Sequence, residues 1–155
     1  MHHLSHIVIQ NFRACRNVSL PLEGYTPLVG QNNTGKSSIL EAIRWVLKPT
    51  ALLKSDFYEA GSPVVISACI EGITEEVLEY IPEQRHRRAI EPYCREGMMW
   101  IRATANGTGA KAISKKVWDV EQCMGKEMPN QWREYPTGLP QAVSALLPEP
   151  LYVEA

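Results

Sequence analysis

The 155-residue sequence predicts an α/β domain, a small and mainly antiparallel sheet beside a strand–loop–helix unit. Three observations predict it. Strand-like apolar runs recur at 4–12, 63–72 and 98–105, the first of them β-branched and partly alternating. Apolar residues at helical spacing form a stripe between Lys36 and Leu47. A loop of glycines and amides joins a short strand to that stripe.

The elements follow in order. "LSHIVIQNF" (Leu4–Phe12) reads as a strand, and "NVSLPL" (Asn17–Leu22) as a second, with Pro21 placing it at an edge or at its end. "TPLVG" (Thr26–Gly30) is a third and leads into the loop. From Lys36 to Leu47, Ile39, Leu40, Ile43, Val46 and Leu47 share one helix face, with Glu41 and Arg44 as an i,i+3 pair opposite and Pro49 as the stop. "PVVISACIEG" (Pro63–Gly72) is a strand. "TEEVLEYI" (Thr74–Ile81) is a short helix capped by Thr74, with Glu75 and Glu76 at its positive end. "MMWIRATA" (Met98–Ala105) and "SKKVWDV" (Ser114–Val120) are strands joined through "NGTGAK", a hairpin turn whose spacing misses a second phosphate loop. "PQAVSALL" makes a short helix with Pro140 in its first turn. The terminal "LYVEA" starts a strand with no room to develop, as if cut.

Composition narrows the function classes. Hydrophobic residues make up 45%, which supports a buried core. The net charge of −1 means any nucleic-acid contact must come from a local patch. Cys15, Cys69, Cys94 and Cys123 lack paired spacing and read as reduced, mostly buried thiols rather than a zinc site. His2, His3 and His6 read as a frayed end rather than a metal cluster. No stretch approaches the ~18 apolar residues of a membrane span, and no signal-peptide pattern occurs. The chain reads as soluble, cytoplasmic and not membrane-bound.

The loop carries the chemistry. Gly30-Gln31-Asn32-Asn33-Thr34-Gly35-Lys36-Ser37 fits G-x-x-x-x-G-K-[ST] at every specified position. Chance would produce this in on the order of one in 200 chains of this length. It also follows a predicted strand and opens an amphipathic helix, the context the motif requires. Such a turn aims backbone N–H groups inward as a nest for phosphate oxygens, and the helix start adds its positive dipole end. Lys36 would reach the β- and γ-phosphates as a point charge. The Ser37 hydroxyl would complete the coordination of Mg²⁺. Gly30 and Gly35 allow close backbone approach, and Asn33 tolerates the left-handed region where glycine is common. An ordinary Gly/Asn turn would need neither the lysine nor the hydroxyl. No N-K-x-D tetrad for guanine occurs, which favours ATP.

"HIVIQNFRACRNVSLPLEGYTPLVGQNNTGKSSILEAIRWVL" resembles the amino-terminal lobe of ABC-type P-loop ATPase heads in the RecF and structural-maintenance-of-chromosomes group. The G-x-N-N-x-G-K-S-S form is most similar to the overcoming-lysogenization-defect (OLD) family of ATP-dependent nucleases. The likeness is specific over the first third of the chain and only general beyond Ser55. It implies a P-loop NTPase fold with a mixed sheet that has an antiparallel part. It also implies that Asn32, Asn33, Thr34 and Ser38 join the nucleotide site, and that the N-F-R element Asn11-Phe12-Arg13 brings Arg13 near the phosphates. From the residues alone, Arg13 is a cation after a strand, and a solvated side chain explains it as well.

Several parts of such an ATPase do not occur here: a Walker B strand, an L-S-G-G-type signature and a Toprim-type acidic cluster. Glu154 in "LYVEA" lacks the aspartate a Walker B needs, so no catalytic residue is assigned. "QRHRR" (Gln84–Arg88) could touch a DNA backbone but reads better as a solvated helix face balanced by Glu83, Glu91 and Glu96. Lys115 and Lys116 read as an exposed strand end, and Trp100 and Trp118 as core packing.

The expectation is therefore one partial, truncated ATPase domain over 1–155, made of 1–50 (strands, phosphate loop, helix) and 51–155 (antiparallel sheet, short helices). It would bind ATP and Mg²⁺ in an OLD/RecF-like ATPase acting on DNA in repair or phage defence. Hydrolysis would need the rest of the head or a second protomer. The alternative is a standalone, non-hydrolysing nucleotide sensor or interaction protein; a small P-loop kinase ranks third.

Overall fold

The computed structural model describes residues 2–22, 33–120 and 129–146, the side chains of residues 33–36 aside. Its centre is a six-stranded sheet: β1 (His3–Phe12), β2 (Cys15–Pro21), β3 (Val64–Glu71), β4 (Met99–Ala105), β5 (Ile113–Trp118) and β6 (Trp132–Glu134). The spatial order is β2-β1-β3-β4-β5-β6, and each neighbouring pair is antiparallel. The strand expected at Thr26–Gly30, which would supply the mixed character, lies outside the described residues. Pro21 closes β2 on the sheet edge, where a missing N–H costs no ladder bond.

Alternation sorts the side chains into two faces. Ile7, Ile9, Ile66, Ala68, Ile70, Ile101, Ala103 and Val117 point to the main core, where the helices pack. The opposite face carries a smaller cluster of Val8, Cys69, Trp100 and Trp118, with Trp132 against it. Trp100 and Trp118 are thus packed, as expected.

The connection from β2 to β3 passes over β1 and contains α1 (Asn33–Leu47). The helix starts at Asn33 rather than Lys36, so Asn33 is helical rather than left-handed. The reason is local: Gly35 sits in the first turn, where backbone N–H groups lack intrahelical acceptors and a glycine disrupts little. Of the expected stripe, Ile43 and Val46 are buried while Ile39, Leu40 and Leu47 are half-buried, and Ala42 and Trp45 join the buried face. Glu41 and Arg44 do pair, at 2.9 Å on the exposed side.

Between β3 and β4 lie α2 (Glu75–Leu78) and α3 (Gln84–Ile90), and α4 (Leu139–Leu146) follows β6. Thr74 caps α2 by accepting the Val77 N–H, but α2 is shorter than expected because Pro82 biases the chain before it away from helix. The hairpin at "NGTGAK" is present, with a short 3-10 turn at Ala110–Ala112. The frayed histidine end is corrected: His3 and His6 belong to β1, where they pair with Glu71 and Cys69, and the His2 ring bonds the Leu146 carbonyl at 2.6 Å. Among the described residues no helix is long and apolar enough to cross a membrane.

Candidate functional site

The turn between β1 and β2 is a backbone knot. Asn11 and Arg13 both adopt the left-handed region, at φ 61° and 49°. Asn11 is buried, and its side chain satisfies three backbone groups of the following loop. Its amide donates to the Glu59 and Ser62 carbonyls (3.1 and 2.8 Å), and its oxygen accepts the Glu59 N–H (2.7 Å). Asn is among the few non-glycine residues suited to that conformation. Phe12 beside it is 1% exposed and stacks on Trp45 of α1.

Arg13 is joined to Asp56 twice. Its backbone N–H donates to the Asp56 carbonyl at 2.8 Å, and its Nε donates to Oδ1 at 3.0 Å. The other carboxylate oxygen of Asp56 accepts the Leu53 N–H at 2.8 Å, so the acid also closes the 3-10 turn Lys54–Asp56. The Arg13 side chain remains 40% exposed and lies over the Phe12 ring at 5.3 Å.

The turn is also tied to α1, because the Ala14 N–H donates to Ser38 Oγ at 3.3 Å. Ser38 is buried on the side facing the turn, and Ser37, one residue earlier, is exposed. The structure therefore brings the Arg13 turn to the second turn of the helix that carries the Gly35-Lys36-Ser37 sequence. Asn33, Thr34, Gly35 and Lys36 form the first turn of α1 as backbone. Gly30 and Asn32 lie outside the described residues.

Other candidates are structural. Arg85 pairs with Glu83 at 2.6 Å, and Arg87 Nε donates to the Ile81 carbonyl at 2.6 Å, which fits a helix face rather than a charged patch. Burial pushes the Cys69 thiol up to about 11 and the Cys94 thiol up to about 12; nearby Glu71 and Glu91 reinforce the shifts. Cys15 shifts up for the same reason of burial. These thiols are neutral packing groups. No cluster of three His, Cys, Asp or Glu among the described residues could hold a metal. Asp56 was not singled out from the sequence, because nothing in "KSDFYE" announces a partner 43 residues away.

Residues 3–99 match the family described as the AAA ATPase domain. The chain belongs to that family. Its matched region contains the turn, the G-x-x-x-x-G-K-S segment, α1 and the first three strands, and an ATPase domain is nucleotide-binding in kind. The chain is also homologous to the Old nuclease of Escherichia phage P2, at 32% identity over 152 residues, or 98% of the chain. It spans about a quarter of that relative's length (25%).

Proposed function

We propose that this domain binds ATP together with Mg²⁺ at the start of α1, as the nucleotide-binding part of an OLD-like ATPase that acts on DNA. The observation that carries the reading is the placement of Gly35, Lys36 and Ser37 in the first turns of a helix held against the Arg13 turn. The unpaired N–H groups of that first turn and the helix dipole both favour a phosphate there. Backbone amides from Asn32 to Lys36, with Gly30 allowing close approach, would cradle the phosphates, and Lys36 would add a positive charge.

Ser37 fits a Mg²⁺ that arrives with its nucleotide. Its side chain is exposed, and such an ion takes most of its oxygens from phosphate and water rather than from a protein cage. Bound there, Mg²⁺ would neutralise phosphate charge. The hydrolytic base and signature would come from the rest of the head or from a second protomer, so this chain alone turns over negligibly. The nuclease named in the phage relative supports a DNA-directed role, in repair or phage defence.

Calorimetric titration with a non-hydrolysable ATP analogue and Mg²⁺ tests the reading. Lys36→Ala should weaken binding by about 1.5–3 kcal/mol, the value of a charge-assisted hydrogen bond. Equal binding by both proteins would refute it.

A further inference from the structure

We propose that the sheet face turned away from the helices binds single-stranded DNA, with Arg102 and Lys116 on the phosphates and the Arg102–Trp132 stack beneath a base. The proposal rests on the DNA-directed part of the reading above and names a surface for it.

The sheet register sets Ser67, Arg102, Lys116 and Glu134 side by side on β3, β4, β5 and β6, in one row of that face. Arg102 is half-buried. Its Nε donates to Ser67 Oγ at 2.8 Å, and its guanidinium lies 4.1 Å from the centre of the Trp132 ring. Burial lowers its pKa, the mark of a charge held partly away from water. Charges drawn from water are ordinarily paired. Arg13, Arg44, Arg85 and Arg133 each meet a carboxylate, whereas among the described residues Arg102 meets none. The Trp132 face offsets part of the lost hydration but offers no oxygen to the Nη donors.

Lys116 repeats the positive charge one strand away, at a spacing of about 4.8 Å. Like charges directly opposite on one face destabilise a sheet. The arrangement fits an anion that both cations share. Glu134 is exposed, so the row holds two cations against one acid.

The surroundings select the class of anion. Gln10, Asn17, Thr104 and Ser114 share the neighbouring row and supply the amides and hydroxyls that bind sugar and phosphate. Aromatic and guanidinium planes beside cations suit bases that are free to stack, which a duplex keeps inside. With a net charge of −1 over the chain, attraction to DNA has to be local, as it is here. A purely structural stack would cost stability when broken and leave DNA affinity unchanged.

Fluorescence anisotropy of a labelled thymine oligonucleotide over a range of salt tests the proposal, with wild type, Arg102→Ala, Arg102→Lys, Lys116→Gln and Trp132→Ala. Wild type should bind the single strand more tightly than a duplex of the same length. Arg102→Ala should weaken binding about tenfold and lower the slope of log affinity against log salt by about 0.7, one phosphate contact on a single strand. Lys116→Gln should lower the slope equally. Trp132→Ala and Arg102→Lys should weaken binding about tenfold through lost stacking, and the lysine variant should keep the salt slope. Calorimetry with the ATP analogue and Mg²⁺ should read the same nucleotide affinity in all four variants. Should Arg102→Ala unfold, Lys116→Gln carries the test, because it leaves Arg102 on Trp132. Wild-type affinity and slope in the variants overturn the proposal, as does preference for the duplex or no binding by wild type. A polyglutamate peptide bound through Arg102 in place of the oligonucleotide also overturns it, in favour of a protein partner. Nucleotide binding that depends on Lys36 survives each of these failures, and its loss alone overturns the reading of the α1 site.

Discussion

The Phe12 and Trp45 rings stack with centroids 6.4 Å apart and an interplanar angle of 23°. This contact joins the end of β1 to the last turn of α1, so the strand that leads into Arg13 and the helix bearing Lys36 share one packed joint. The Trp45 indole also donates to the Thr50 carbonyl at 2.8 Å, which anchors the chain leaving the helix. Trp45→Ala removes both, and should destabilise the domain by about 3–5 kcal/mol. Urea unfolding gives the value; a loss below 1 kcal/mol would contradict the joint.

Asn11 is held by chemistry as well as by conformation. Asn11→Ala deletes three side-chain hydrogen bonds and leaves a residue less suited to positive φ, at a cost of about 2–4 kcal/mol. Asn11→Asp is the sharper variant. It keeps the acceptor for the Glu59 N–H but turns the two donors toward carbonyls into carboxylate oxygen. It should be destabilised at neutral pH and partly recover as pH falls and the acid takes up a proton. Thermal melts between pH 4 and 8 check this.

Gly138 lies at φ 92°, and a Cβ there would stand 3.3 Å from Ala89 Cβ and 3.4 Å from the His86 ring. Gly138→Ala should therefore cost about 1–2 kcal/mol from backbone strain, with the crowding of α3 against α4 added to it. Urea unfolding of the variant, followed by circular dichroism, reads the loss directly.

The buried thiols give an alkaline signature. Cys69 and Cys94 hold their protons to about 11 and about 12 in the fold, above the ordinary value of 9.0, so the unfolded chain releases them first. Their contribution to stability is complete below pH 9 and is lost as pH rises through the folded values. The melting temperature should fall from about pH 9 upward. At pH 8, alkylation of these two and of Cys15, followed by peptide mass mapping, should be slow in the native chain and fast in urea.

The strands and α1 were legible because periodicity writes them into the sequence. Seven to ten residues rich in β-branched or other apolar side chains mark β1, β3 and β4 well. Three residues at β6 are too short for a period to emerge and that strand was not foreseen, whereas the seven of α3 showed only through the charged face at Gln84–Arg88. At the site, spacing exposed the Gly35-Lys36-Ser37 segment because its donors are consecutive along the chain. The Asp56–Arg13 bridge left no such trace. It depends on β2, α1 and the loop before β3 returning the acid to the first turn, which is a property of topology rather than of local sequence.

The two-faced sheet also distributes the natural chromophores unevenly. Trp100, Trp118 and Trp132 gather on the side away from α1, whereas Trp45 alone stands on α1. Replacing that trio by phenylalanine would leave one tryptophan, packed against Phe12. Its emission would report the packing of that joint between sheet and helix without an attached dye.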